Sequence, residues 1–378
     1  MKKIYLDNAA TTPMDVEVID LMQQSMLANF GNPSSTHQFG RAAKSSVETA
    51  RKNIAQHFKV TASEIIFTAG GTEADNLILQ NAVTNLGVQT IITSKIEHHA
   101  VLHTIEYLKE TYQIDVVYVS VDEFGSVDLQ ELDALLSNTN AKTLVSLMYV
   151  NNEIGNLLPL DEVVSICKKH DALFHSDTVQ GIGHYPIDLQ KTPIDFIAAS
   201  AHKFHGPKGV GFAYFKKGFG IKPMLHGGDQ EKGARSSTEN VHSILGMEKA
   251  LDIAVSHMDT DAKYLTELKL YFINALQACF PTVAFNGLSS DLEKSSYIIL
   301  STRFAIQNEL LFFSLDLAGI AVSGGSACQS GSNGGSHVLS AFLSPEHAAA
   351  TSVRFSFSKN TTKEEITLTI EKLQELLN

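Results

Sequence analysis

Tryptophan is absent from this chain of 378 residues, and cysteine occurs three times. The cysteines, Cys167, Cys279 and Cys328, are widely spaced and form no CxxC pair, which excludes a disulfide framework and the common zinc motifs. Cys167 and Cys279 lie in apolar helical contexts, where an inert buried thiol is the expected state. Each cysteine therefore has to be interpreted singly.

The chain also lacks an excess of positive charge and any long apolar run. Its formal net charge is -12, whereas a protein that binds the phosphates of nucleic acid presents a basic surface. No apolar run approaches the length of a membrane span, and the first residues contain no apolar core of a secretion signal. We therefore expect no nucleic-acid partner, no membrane insertion and a cytoplasmic location.

What is present is a strand and helix alternation between about residues 63 and 215. Short apolar runs alternate there with amphipathic stretches, which is typical of an α/β layer structure around a mostly parallel sheet. The predicted strands are 64–68, 90–93, 116–119, 143–147, 172–175 and 196–199, and the predicted helices are 72–86, 97–109, 129–136 and 160–170. After about residue 240, long helical stretches precede a strand at 352–357 and a terminal helix. Thr362 and Glu365 predict a capping box at the start of that helix, and the pattern favours a smaller α+β domain.

Three segments at the ends of predicted strands carry polar groups suited to chemistry. Residues 67–76 form a strand, a glycine turn and a helix start, which is either an ordinary tight turn or a phosphate site. Lys203 follows the last strand, where partial desolvation favours the neutral amine that forms a Schiff base with an aldehyde cofactor. A surface lysine is the simpler alternative, and a metal at His202 and His205 would need a third ligand that is not evident. Asp177 ends another strand at the same edge, and is either a turn aspartate or the partner of a pyridinium nitrogen.

Cys328 lies in a stretch of a different kind. Residues 323–336 are rich in glycine and serine and predict a loop without helix or strand. Loops of this length are commonly functional or disordered.

Together these segments resemble the fold-type I pyridoxal-phosphate enzymes, specifically the class V aminotransferase-like cysteine desulfurases of the NifS/IscS kind. The resemblance runs through almost the whole chain, in the segments 5–13, 31–35, 97–98, 150–155, 200–209, 235–238, 326–328 and 352–356. It implies a large domain of residues 15–255 with a mostly parallel mixed sheet. Residues 1–14 with 256–378 would form the small α+β domain.

The resemblance also implies roles for individual residues. Lys203 would carry pyridoxal 5'-phosphate, and His98 would stack on its ring and take part in catalysis. Asp177 would pair with the ring nitrogen, with Asn152 and Gln180 near the ring substituents. The implied phosphate contacts are Gly71, Thr72, Ser200, His202 and, from the neighbouring subunit of a homodimer, Thr238. Arg354, with Asn152, would bind the substrate, and no metal is implied.

Cys328 distinguishes the desulfurases from plain aminotransferases in this resemblance. Its thiolate would take sulfur from L-cysteine as a persulfide, leaving L-alanine, for an iron–sulfur scaffold or another sulfur-acceptor protein. Five positions depart from the family pattern: Gly71 replaces alanine, Asp229 and Ser237 replace glycines, and Ser176 and Thr178 are more polar than usual beside Asp177. The alternatives are a selenocysteine lyase, another class V pyridoxal-phosphate enzyme that does not use Cys328, and a degenerate paralogue acting as an assembly protein.

Overall fold

The structure is a computed structural model that describes residues 3–308, 310–324 and 335–377. Its centre is a sheet with the strand order β2-β8-β7-β6-β5-β3-β4. These strands are β2 (Ile65–Thr68), β3 (Thr90–Ser94), β4 (Asp115–Val119), β5 (Thr143–Ser146), β6 (Leu173–Asp177), β7 (Phe196–Ser200) and β8 (Gly211–Phe215). Neighbours pair in parallel except that β8 runs antiparallel to both β2 and β7. The predicted mostly parallel mixed sheet is confirmed.

Helices cover both faces of this sheet, since its strands are almost entirely buried and apolar. They are α1 (Val16–Ala28), α2 (Gln38–His57), α3 (Gly71–Thr84), α4 (His99–Tyr112), α5 (Leu129–Ser137) and α6 (Leu160–Lys169). The four helices predicted from periodicity are α3 to α6, with ends shifted by three residues or fewer. Helices α1 and α2 pack on the first part of α7 (Val241–Cys279), and the sequence analysis did not predict them.

A second hydrophobic core lies beyond the middle of α7. It packs an antiparallel sheet of order β12-β10-β9, formed by β9 (Ala284–Phe285), β10 (Ile299–Arg303) and β12 (Ser352–Ser356). The remaining elements of this part are β1 (Ile4–Tyr5), α8 (Leu311–Leu317), β11 (Ile320–Ala321), α9 (His337–Ser340), α10 (Pro345–Ala349) and α11 (Lys363–Leu377). Strand β1 pairs with β11, so the N-terminus belongs to this core. The proposed domain boundaries at residues 14/15 and 255/256 stay a prediction.

The capping box predicted for the terminal helix is confirmed by two reciprocal hydrogen bonds. The backbone N–H of Thr362 donates to Oε2 of Glu365 at 2.9 Å, and the N–H of Glu365 donates to Oγ1 of Thr362 at 3.2 Å. Among the described helices, none is both long and apolar enough to cross a membrane.

Strand β8 was missed by the sequence analysis, and it positions the site. A Cβ at Gly211 would lie 2.2 Å from the carbonyl oxygen of Ala199 and 2.8 Å from Cα of Gly70. Glycine is required there because the end of β7, the start of β8 and the turn before α3 come together. The close approach brings the helix start and the lysine segment to one edge of the sheet.

Candidate active site

A cavity of about 880 Å³ lies at the carboxyl ends of β6 and β7, where α3 begins. Ligands of open α/β sheets bind at such an edge. Ten of the twelve predicted site residues line the cavity: Gly71, Thr72, His98, Asn152, Asp177, Gln180, Ser200, His202, Lys203 and Arg354. The fold therefore brings together side chains from segments that are far apart in the sequence.

Lys203 ends a short 3₁₀ turn directly after β7. Its Nζ donates hydrogen bonds to the carbonyl oxygens of Ala9, at 2.6 Å, and Ala10, at 3.0 Å. Gln180 also donates to the oxygen of Ala9, at 2.8 Å. The segment after β1 thus forms one wall of the cavity and holds both side chains, a contribution that the sequence analysis did not predict.

His98 is the N-cap of α4, and its Nδ1 accepts a hydrogen bond from the N–H of Ala100 at 3.1 Å. Nε2 is therefore the ring nitrogen left to carry a proton. Burial lowers the pKa of His98, against the opposing charge of Asp177, while Lys203 lowers it further. The ring is partly buried, and its position is set by the helix it caps.

Asp177 is the last residue of β6 and is 5% exposed. Its Oδ1 accepts a hydrogen bond from the N–H of Val179 at 2.9 Å. Burial raises the pKa of Asp177, whereas the charges of His98 and Lys203 lower it. The carboxylate is thus placed where a cationic group in the cavity would stabilise its ionised form.

The start of α3 points into the same cavity without a capping side chain. Its first backbone N–H groups and the positive end of the helix dipole are therefore available to an anion. A Cβ at Gly71 would lie 2.5 Å from Cγ2 of Val179, which explains a glycine here by close packing. His202, which lines the same cavity, is held through Nδ1 and Oγ1 of Thr11 at 3.2 Å. Burial, with the charges of Lys203 and Lys208, lowers the pKa of His202 to about 4.

Arg354 lies on β12, a strand of the second hydrophobic core, and reaches the cavity from there. Nη1 donates to the carbonyl oxygen of Asn152 at 2.7 Å, and Nη2 donates to Oδ1 of Asp7 at 2.9 Å. Nε is buried and makes no hydrogen bond within the described part of the chain. The sequence analysis gave Asp7 no role, although it lies in the N-terminal segment that carries the family resemblance.

One predicted residue of the described part of the chain lies outside this cavity. Thr238 is exposed and lines a separate cavity of about 230 Å³ with Phe67 and Arg235. The preceding Ser237 has φ +123°, a conformation that favours the glycine usual at that position. Cys328 lies outside the described residues.

Comparisons with known proteins agree with this geometry. The family described as Aminotransferase class-V matches residues 4–368. The chain is 41% identical to the cysteine desulfurase IscS of Dictyoglomus turgidum, over 100% of this chain and 95% of that protein. It is 39% identical to the cysteine desulfurase IscS of Clostridium botulinum, over 100% of this chain and 94% of that protein. A solved structure described as a NifS-like protein superposes with a TM-score of 0.91 at 38% identity, covering 100% of this chain and 99% of that one.

Proposed function

The chain belongs to the aminotransferase class-V family and is a cysteine desulfurase, and on that premise we propose how its own residues carry the reaction. The observation that carries the proposal is the single cavity that brings Lys203, Asp177, His98 and Arg354 together. These four residues come from β6, from β12, and from segments next to α4 and β7. A shared cavity is what a cofactor and a small amino acid would require.

Pyridoxal 5'-phosphate fits the groups around the cavity. The uncapped start of α3, with Gly71 and Thr72, suits a phosphate group. Ser200 and His202 line the same region, and Asp177 would meet a protonated ring nitrogen. The remaining contacts proposed from the family are His98 on the ring face and Asn152 and Gln180 at the ring substituents. When bound, the cofactor would supply an electron sink for negative charge on a substrate carbon.

Lys203 and Arg354 are proposed to act on L-cysteine directly. The guanidinium of Arg354, which lines the cavity, would bind the substrate carboxylate. Asp7 and the carbonyl of Asn152 fix the plane of that group. Nζ of Lys203 would hold and return the proton of the substrate Cα.

Cys328 is proposed to receive the sulfur. Its thiolate attacks the sulfur of L-cysteine, the bond from that sulfur to Cβ breaks, and the electron pair stays with the carbon fragment. Protons then complete L-alanine, so that cysteine and the Cys328 thiol become alanine and a Cys328 persulfide. An acceptor thiol can attack the persulfide by ordinary exchange, which suits delivery to an iron–sulfur scaffold or another acceptor protein.

We further propose a cytoplasmic homodimer in which Thr238 of each subunit completes the phosphate contacts of the other. Its exposed position outside the large cavity supports this arrangement. Large apolar side chains are also exposed, among them Phe30 at 67%, Phe39 at 48% and Leu225 at 40%. Exposed apolar surface of this kind marks interaction sites.

The test compares Lys203→Ala with Lys208→Ala, a second lysine at the same cavity. Borohydride reduction of the wild-type protein and of Lys208→Ala should attach the cofactor to the peptide of Lys203. Lys203→Ala should lose the visible band and alanine production. Cofactor trapped on another lysine would refute the assignment of Lys203. Sedimentation that shows an active monomer would refute the proposed homodimer.

The sulfur step is tested by Cys328→Ser, with Cys279→Ser as the matched control. Without reductant, mass spectrometry should find added sulfur on the peptide of Cys328 in the wild-type protein and in the control. Cys328→Ser should keep the bound cofactor and lose sulfide release. Near-normal sulfide release by Cys328→Ser would contradict the mechanism.

A further inference from the structure

Three buried side chains form a connected line that begins at Asp75, a residue of the cavity wall. Oγ of Ser146, at the end of β5, lies 2.9 Å from Nδ1 of His175 on β6. Nε2 of His175 lies 3.3 Å from Oδ1 of Asp75 on α3. Ser146 and His175 are fully buried, and Asp75 is 1% exposed. The set has the composition of a hydrolase triad, but a serine that no substrate can reach is not a nucleophile.

The two facing atoms of His175 and Asp75 have no other partner. Nε2 of His175 and Oδ1 of Asp75 make no hydrogen bond of good geometry within the described residues. A buried polar group without a partner costs free energy, and a buried charge without a partner costs more. A proton between Nε2 of His175 and Oδ1 of Asp75 would give each of these atoms a hydrogen-bond partner.

The charges around Asp75 oppose its ionisation. Burial raises the pKa of Asp75 well above its usual range, and the carboxyl groups of Asp177 and Glu97 raise it further. Burial also raises the pKa of Glu97 to about 8. Lys203 and His98 lower the pKa of Asp177, and neither is among the groups that act on Asp75. Three buried carboxyl groups with so little positive charge cannot all be ionised.

His175 is suited to accept a proton from a neutral acid. Burial lowers the pKa of His175 to about 3, so its imidazole is neutral near neutral pH. In one of its neutral forms Nδ1 carries the ring proton and donates to Oγ of Ser146, which leaves Nε2 as an acceptor facing Asp75. The 2.9 Å distance from Nδ1 to Oγ of Ser146 permits that form.

We propose that Asp75 is an uncharged carboxylic acid whose proton is directed at Nε2 of His175, which leaves Asp177 as the carboxylate that meets the ring nitrogen. Asp75 is then a positioning residue, because it acts on the site through Asp177 and through the start of α3. The protonation of Asp75 is a property of the chain itself. Its consequence for the ring nitrogen rests on the proposed function.

The direct test is infrared spectroscopy of the cofactor-free, full-length protein at neutral pH. The wild-type protein should show the carbonyl band of a buried protonated acid, and Asp75→Asn should lose that band. Glu97→Gln removes the second buried acid that is expected to be protonated. The band that remains in Glu97→Gln should disappear when Asp75→Asn is added to it. A wild-type spectrum unchanged by Asp75→Asn would overturn the proposal. The absence of any such band from Glu97→Gln, a variant that leaves Asp75 intact, would overturn it as well.

A second readout uses the loaded protein. Asparagine mimics the neutral acid, so Asp75→Asn should leave the midpoint pH of the cofactor's visible band unchanged. If Asp75 were ionised, removal of its negative charge would lower that midpoint by about one unit or more. A shift of that size contradicts the proposal. Failure of Lys203→Ala to remove the visible band would refute the proposed function and leave the infrared result intact.

Discussion

Glu231 makes the buried ion pair whose loss should be the most informative for stability. Its carboxylate accepts two hydrogen bonds from Arg51, at 2.6 and 2.8 Å, and a third from the N–H of Phe67 at 2.9 Å. The side chains of Arg51 and Glu231 are 4% and 3% exposed. The pair joins α2 and β2 to the segment that carries Thr238, so Glu231→Gln tests how that segment is held.

The expected cost follows from the burial of the charge that remains. Glutamine keeps the shape of glutamate but leaves the guanidinium of Arg51 buried without its bidentate partner, which costs about 3–5 kcal/mol. Glu48 pairs with the same guanidinium at 3.1 Å, but its side chain is 46% exposed. Glu48→Gln should therefore cost at most about 1 kcal/mol, which makes it the matched control.

The assay is thermal unfolding followed by circular dichroism, at one protein concentration. For 378 residues, the entropy of unfolding is about 0.8 kcal/mol/K, so Glu231→Gln should lower Tm by about 4–6 °C. Glu48→Gln should lower it by about 1 °C or less. Equal shifts for the two variants would show that burial does not decide the strength of the pair, and would refute the reasoning.

Two further predictions concern backbone strain and a buried amine. Ser237→Gly should raise the free energy of unfolding by about 1 kcal/mol, because it relieves the strain of φ +123°. The control Ser236→Gly should lower the free energy of unfolding, because it loses a 2.7 Å hydrogen bond to the carbonyl oxygen of Gly228. A Ser237→Gly variant less stable than the wild type would contradict the argument. Burial lowers the pKa of Lys269 to about 7, whereas the pKa of a lysine in the unfolded chain is about 10.4. The unfolded chain then binds more protons between about pH 7 and pH 10, so this residue makes stability rise with pH across that window. Urea unfolding should show that the free energy of unfolding rises less with pH in Lys269→Met than in the wild type. The control Lys263→Met, on the same helix, should behave as the wild type. An unchanged pH dependence in Lys269→Met would disprove the lowered pKa of Lys269.

Much of the candidate site could be predicted from the sequence because its residues follow buried strands. Asp177 ends β6, and Lys203 follows β7 by three residues. Parallel neighbouring strands bring their carboxyl ends to one edge, so the order of the segments was enough to place these groups together. The roles of Lys203, His98 and Arg354 were assigned by resemblance and stay a prediction, while the fold places all three around one cavity.

The contacts that hold these groups could not be predicted in the same way. Asp7 meets Arg354 across 347 positions of sequence, and the carbonyl of Ala9 meets Lys203 across 194. No periodicity encodes such pairs, because they depend on where β1 and β12 come to lie in the folded chain. The Asp75 and His175 pair was missed for the same reason.

The sequence by itself determined the alternation of buried strands and amphipathic helices, since burial on two faces of a parallel sheet requires continuous apolar runs. It also determined the capping box of α11 and the identity of the polar groups at the strand ends. Only the tertiary structure decided the antiparallel place of β8 and the partners of each buried charge. These depend on contacts between distant segments, and the free energy of a buried charge is set by the groups that surround it in space.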